Sequence, residues 1–123
     1  MAVPHILIVD NDPAAALVTQ RGLQMLIGSE ATIDLAHSAG AAWLSCVRGE
    51  VSLLIVDPGG TDRSTAALVK ALHNERPNLP VLVLTAYDTP RLRNQMRNLG
   101  VKFYLAKPID LPELHKIVTV AVG

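Results

Sequence analysis

The chain has 123 residues, one cysteine, and equal numbers of basic and acidic residues, 11 of each, which give a formal net charge of zero. This length predicts a single domain over residues 1–123, while the neutral balance predicts no direct partner among nucleic acids or membranes. Cys46 has no second cysteine with which to form an internal disulfide, and the histidines lack the spacing of zinc ligands. The sequence shows no signal peptide and no apolar run of membrane-spanning length, which predicts a cytoplasmic protein.

Strand and helix patterns alternate through the first part of the chain. The first strand ends in acids, and Asp12, which precedes Pro13, is a candidate N-cap for the helix that follows. A weaker strand comes next, and Ser38 can cap the second helix, whose residues Trp43 and Leu44 we expect to face the core. These four elements are predicted at residues 5–10, 14–27, 31–36 and 39–48.

The most apolar segment, residues 51–57, ends in a carboxylate and is followed at once by Pro58 and two glycines. A short run of this kind, rich in β-branched residues, is typical of a central strand that is buried on both faces of a parallel sheet. Asp57 is therefore expected at the carboxyl edge of the sheet, where ligands bind in open α/β folds. The alternative interpretation is that Asp57 only opens a turn.

The second part of the chain continues the alternation. A strand over 81–84 leads into Thr85 and Ala86, and a strand over 101–106 leads into Lys107. Helices are predicted at residues 64–76 and 90–99, and from residue 110 or 111 to residue 122. Five strands alternating with five helices predict a doubly wound α/β domain with a five-stranded parallel sheet and helices on both faces.

Asp10, Asp57, Thr85 and Lys107 all follow predicted strand ends, so we expect them to share one pocket. Acids, a hydroxyl and an ammonium at one edge favour the handling of phosphate. Asp57 can act as a nucleophile toward phosphorus and form an aspartyl phosphate. Lys107 would supply a fixed positive charge, and Thr85 and the backbone N–H of Ala86 would donate hydrogen bonds to phosphoryl oxygens.

A divalent cation such as Mg²⁺ is expected at the same edge, because hard cations prefer oxygen ligands. The predicted ligands are oxygens of Asp10, of Asn11 or Asp12, of Asp57, and a backbone carbonyl near Gly59.

Four segments in this order resemble the response regulator receiver domain of two-component signalling, and the resemblance covers essentially the whole chain. They are residues 5–13, 53–57, 81–86 and 100–108. The resemblance implies a flavodoxin-like fold with strand order 2-1-3-4-5. It also implies a signalling phosphoacceptor, rather than an enzyme, that receives a phosphoryl group from a histidine kinase or histidine phosphotransfer protein.

The same resemblance implies a role for each residue that matches the family's motifs. Asp57 is the phosphoacceptor, Asp10 belongs to the acidic pocket, and Lys107 binds phosphate. Thr85 and Tyr104 form the switch pair, and the bond between Lys107 and Pro108 is expected to be cis.

Two departures from the family's pattern leave an alternative open. Asn11 stands where the second acid of a pair is usual, which predicts weak Mg²⁺ binding, and Asp12 either compensates or caps the first helix. The loop over 58–63 lacks the usual turn and looks shortened. Both features favour a receiver-like interaction or dimerisation module that works without phosphorylation. A flavin-binding flavodoxin is disfavoured because no Ser/Thr-rich phosphate loop follows the first strand.

The signal is expected to leave through the face of the fourth helix, fifth strand and fifth helix. A local basic patch lies there, formed by Arg91, Arg93, Arg97 and Lys102. It predicts a downstream protein or a second copy of the chain as partner, and the alternative is that these are simply solvated positions. The sequence identifies neither the kinase nor the output, and it leaves open a stand-alone receiver or a fragment of a longer protein.

Overall fold

The computed structural model describes residues 3–58 and 63–123. The strands in this part of the chain are β1 (His5–Val9), β2 (Thr32–Leu35), β3 (Leu53–Val56), β4 (Val81–Thr85) and β5 (Phe103–Ala106). The α-helices there are α1 (Pro13–Ile27), α2 (Ala39–Val47), α3 (Ser64–Glu75), α4 (Pro90–Asn98) and α5 (Leu111–Val122), and a short 3-10 helix (Gly28–Glu30) follows α1.

The five strands form one parallel sheet in the order β2-β1-β3-β4-β5. The predicted doubly wound fold and its 2-1-3-4-5 strand order are therefore confirmed. In the register of the sheet, Val9 lies opposite Val56, and Thr85 lies opposite Ala106. The residues that follow β1, β3 and β5 consequently emerge at one edge, together with Thr85 at the end of β4.

A hydrophobic core lies on each face of the sheet, because successive side chains of a strand point to opposite faces. On one face, Ile6, Ile8 and Ile55 pack among buried residues of α1 and α5. On the other, Leu7 and Leu54 pack among buried residues of α2, α3 and α4. All four residues of β3 are buried, which confirms that this strand is central.

The helix boundaries follow from capping groups in the sequence. The Asp12 carboxylate accepts hydrogen bonds from the backbone nitrogens of Ala14 and Ala15 at 3.0 and 3.2 Å, so its predicted use as the N-cap of α1 is confirmed. Ser38 caps α2 in the same way. The chain turns after α4 at Gly100, whose φ of 82° lies in the left-handed region that glycine tolerates without strain.

The prediction that Leu44 faces the core is wrong. Leu44 is 49% exposed, because Ala42 and Cys46 occupy the buried side of α2. Trp43 is half-buried and packs against the core on that side, as predicted. Among the described residues, no helix has both the length and the apolar character needed to cross a bilayer.

Cys46 provides a prediction about alkaline stability. Burial raises the pKa of its thiol, the nearby positive charge of Arg76 offsets this only in part, and the resulting pKa is about 11. The folded state therefore disfavours the thiolate that an unfolded chain forms above pH 9, the ordinary pKa of a cysteine. Between these two pKa values the free energy of unfolding should fall by about 1 to 2 kcal/mol as pH rises. Urea unfolding at several pH values checks this result, and an equal fall in Cys46→Ala would contradict it.

Candidate functional site at the carboxyl edge of the sheet

Three charged side chains meet at the carboxyl edge of the sheet. The Lys107 Nζ atom lies 2.9 Å from Asp10 Oδ2 and 3.2 Å from Asp57 Oδ2. These side chains are largely shielded from solvent, with exposed fractions of 18% for Lys107, 10% for Asp10 and 11% for Asp57. One ammonium group thus bridges two carboxylates at a partly buried point, as expected when three strand ends converge.

Backbone hydrogen bonds set these residues in place. The Asp57 amide donates to the Val9 carbonyl at 3.2 Å, and the Lys107 amide donates to the Thr85 carbonyl at 2.8 Å. The Asp12 amide donates to Asp10 Oδ1 at 2.9 Å, which orients that carboxylate toward Lys107. The peptide bond between Lys107 and Pro108 is cis, as predicted.

The two carboxylates beside Lys107 stabilise its protonated, positively charged form. Burial alone would lower the pKa of Lys107, but the hydrogen bonds and negative charges of Asp10 and Asp57 outweigh this effect and leave its pKa raised. Lys107 is therefore a permanent positive charge near neutral pH. It can attract an anion to the site or offset the negative charge of a phosphoryl group.

The chemistry of the site fits a hard divalent cation in part. Asp10 and Asp57 converge on one point and offer carboxylate oxygens, and the exposed Asn11 can add an amide oxygen. One carboxylate oxygen of Asp12, Oδ1, already accepts the hydrogen bonds that cap the N-terminus of α1. The predicted carbonyl near Gly59 lies outside the described residues. Over residues 3–58 and 63–123, no three acidic, histidine or cysteine side chains are grouped so as to hold a metal.

Thr85 is completely buried at the end of β4. Its Oγ1 atom accepts a hydrogen bond from the Tyr87 amide at 3.0 Å, so the hydroxyl holds the start of the loop between β4 and α4. Ala86, which lies between them, is exposed. The hydroxyl keeps its own proton available for a second acceptor, such as a phosphoryl oxygen.

Tyr104, the predicted switch aromatic, is bonded to a residue that the sequence did not single out. The Tyr104 hydroxyl donates to Asp88 Oδ1 at 3.0 Å. The same carboxylate accepts two hydrogen bonds from Arg93, at 3.0 and 2.9 Å. Burial, together with the hydrogen bond to the Asp88 carboxylate and its negative charge, raises the pKa of Tyr104 to about 12. An acid in the loop before a basic helix was the signal available in the sequence.

The contact between Asp88 and Arg93 pairs one of the four basic residues of the predicted patch with an acid. Arg91, Arg93, Arg97 and Lys102 are all exposed, but the Arg93 guanidinium is paired with Asp88. Arg93 and Arg97 share one side of α4, because residues four apart lie on the same face of a helix. Arg91 lies on another side. Arg97 therefore lies on the same side of α4 as the contact between Asp88 and Arg93, and Arg91 does not.

Together, the parallel sheet and the two carboxylates bridged by a lysine define an α/β domain whose site is suited to a phosphoryl group. The chain belongs to the response regulator receiver domain family, whose profile matches residues 6–119. It is a receiver domain of two-component signalling.

Individual relatives agree with this assignment. The chain is 34% identical over 118 residues to the DNA-binding transcriptional regulator NtrC of Bradyrhizobium sp. (strain RP501 Parasponia), covering 96% of this chain but 24% of NtrC. The signal receiver domain of an HD domain-containing protein from Pseudomonas fluorescens Pf-5 is 27% identical, with a TM-score of 0.82 over 98% of this chain and 95% of that one. The response regulator TrrA of Thermotoga maritima, solved in complex with Mg²⁺-BeF, is 23% identical, with a TM-score of 0.81 over 97% of this chain and 99% of that one.

Proposed function

We propose that residues 1–123 form one receiver domain that accepts a phosphoryl group on Asp57 from a histidine kinase or histidine phosphotransfer protein. The observation that carries this proposal is the position of Lys107 Nζ within 3.2 Å of Asp57 Oδ2 and 2.9 Å of Asp10 Oδ2. A carboxylate beside a fixed cation is suited to attack phosphorus and to tolerate the added charge. The intact mass after incubation with a small phosphodonor and Mg²⁺ tests the proposal.

In the proposed transfer, an Asp57 carboxylate oxygen forms a bond to phosphorus while the bond from phosphorus to the donor's imidazole nitrogen breaks. The donor imidazole leaves after taking up a proton. Lys107 offsets the charge of the phosphoryl oxygens, and the Thr85 hydroxyl donates a hydrogen bond to one of them. A Mg²⁺ ion held by Asp10, Asn11, Asp57 and the carbonyl near Gly59 would supply further neutralisation of these oxygens.

The surface beside the site offers an apolar groove on which a donor protein could dock. A groove of about 410 Å³ lies between the start of α1 and the segment that leads into α5, and Lys107 lines one end of it. Apolar side chains line much of the rest, among them Val18, which is 69% exposed, and Leu111. A donor that packs against these groups would bring its histidine next to Asp57.

We further propose that the domain works in the cytoplasm and assists its own phosphorylation and dephosphorylation.

Asn11 provides a prediction about metal affinity. Replacing Asn11 with aspartate adds a negative charge to the oxygen ligands, so Asn11→Asp should tighten Mg²⁺ binding by on the order of tenfold. Titration calorimetry measures this change in affinity. Asn78→Asp is a matched control, because it adds the same charge in the loop before β4, at the opposite edge of the sheet. Equal affinities for wild type and Asn11→Asp would place residue 11 outside the metal site.

A receiver-like interaction module that needs no phosphate is the second candidate, and the neutral Asn11 favours it. In either case we propose that partners bind the face of α4, β5 and α5, where Arg97 is exposed. A second copy of the chain is one such partner, and a downstream protein is the other.

The contribution of Arg97 to self-association can be measured by sedimentation velocity. Arg97→Glu should weaken a salt-sensitive self-association by about tenfold, because it places a negative charge where an acidic partner would dock. Arg91→Glu, on another side of the same helix, should have a much smaller effect. Equal effects of both reversals, or association that does not respond to salt, would contradict this assignment of the interface.

A further inference from the structure

We propose that Asp88 is the positioning residue that connects the Thr85 hydroxyl to Tyr104 and α4, holding both in place until Asp57 is phosphorylated. This inference rests on the proposed function and assigns the contact through which the site would be read. The signal would pass from Thr85 through the loop over 86–89 to the exposed face of α4.

A single carboxylate joins three parts of the fold. Asp88 Oδ1 accepts from the Tyr104 hydroxyl and from Arg93 Nε, each at 3.0 Å, and Asp88 Oδ2 accepts from an Arg93 terminal nitrogen at 2.9 Å. The Arg93 guanidinium also lies 4.6 Å from the centroid of the Tyr104 ring, within the range of a cation–π contact. The loop, α4 and β5 are thereby tied together by a closed set of side-chain contacts.

Thr85 controls the same loop from inside the protein. Its buried Oγ1 atom accepts a hydrogen bond from the Tyr87 amide at 3.0 Å, and Asp88 is the next residue along the chain. If the Thr85 side chain rotates toward a phosphoryl group on Asp57, its Oγ1 atom moves away from the Tyr87 amide, which then loses its acceptor. The loop that carries Asp88 is then free to shift, and Tyr104 and Arg93 lose their common partner.

The contact is specific but weak enough to be reversible. The hydrogen bond from Arg93 lowers the pKa of Asp88, and the pKa of Arg93 is raised by the same bond, so both groups are charged at neutral pH. However, the side chains of Arg93 and Asp88 are 47% and 30% exposed, and solvent screens exposed ion pairs strongly. Removing the contact should therefore shift the balance between the two arrangements by about 2- to 10-fold.

A double-mutant cycle without phosphate tests the connection directly. The measured quantity is the change in the NMR signals of the Tyr104 ring when Thr85→Ala is introduced into the wild type and into Asp88→Ala. If Asp88 transmits the effect, Thr85→Ala should shift these signals in the wild type and much less in the Asp88→Ala background. An equal shift in both backgrounds would mean that Thr85 and Tyr104 communicate by direct contact, and the proposal would be overturned.

The phosphorylated state provides the second test. Asp88→Ala should gain the mass of a phosphoryl group about 2- to 10-fold faster than the wild type, because the contact that opposes the switch is gone. Asp34→Ala is a matched control, since it removes another exposed, ion-paired aspartate from β2. Equal rates for wild type and Asp88→Ala would overturn the role of Asp88. A wild type that gains no mass would count against the proposed function alone, and the cycle on Tyr104 would still decide the role of Asp88.

Discussion

Incubation with a small phosphodonor and Mg²⁺ is expected to raise the intact mass by one phosphoryl group, and Asp57→Asn is expected to abolish this gain. An amide is a far weaker nucleophile than a carboxylate and cannot form the acyl phosphate. Asparagine has nearly the same size as aspartate, so the fold should survive the change. Mass spectrometry gives the result directly, and circular dichroism checks that the variant is folded.

The specificity of the reaction is tested by a second substitution of the same kind. Asp34→Asn changes an exposed aspartate of β2 that pairs with His5, and it should leave the mass gain intact. No gain in the wild type at saturating donor and metal would contradict the phosphoacceptor role of Asp57. The interaction module without phosphate would then become the preferred function.

Replacing Lys107 with methionine should slow the mass gain by about 100-fold, the size of effect seen when one preorganised hydrogen-bond donor is removed from a reaction centre. Methionine keeps an unbranched side chain but leaves Asp10 and Asp57 without their common cation. The uncompensated negative charge of these two carboxylates would also repel a negatively charged donor. Time courses of intact mass at fixed donor concentration measure the rate.

Lys70→Met is the matched control for this change, because Lys70 is an exposed lysine of α3. Lys107→Arg should keep part of the rate, since the positive charge remains although its geometry differs. If Lys107→Met phosphorylated as fast as Lys70→Met, the lysine would serve only to balance charge in the unphosphorylated protein.

Much of the fold and the charged site could be predicted because each rests on a local pattern. Apolar runs that end in Asp10, Asp57, Thr85 and Lys107 predict strands, and parallel strands bring their ends to one edge. The N-cap at Asp12 follows from its position before Pro13. These features need no knowledge of the side-chain conformations around them.

The remaining features depend on how neighbouring elements are packed and rotated. Leu44 was expected in the core because it is apolar, but the rotation of α2 places Ala42 and Cys46 inside. The hydrogen bond between Asp88 and Tyr104 joins residues 16 apart in the chain, and it depends on the path of the loop that follows β4 beside β5. The path of a loop has no short sequence pattern, and α2 is apolar on most sides, so its periodicity does not identify one buried face.

Burial across the sheet is uneven, and this difference has a consequence for hydrogen exchange. All four residues of β3 are buried in the middle of the sheet, whereas β5 lies at an edge and most of its residues are only half-buried. Amides of β3 should therefore exchange only when the whole domain unfolds, while those of β5 should exchange through smaller local openings. The side of the domain that carries Tyr104 would thus be the easier one to rearrange, and a modest change in free energy at Asp57 would suffice to alter it.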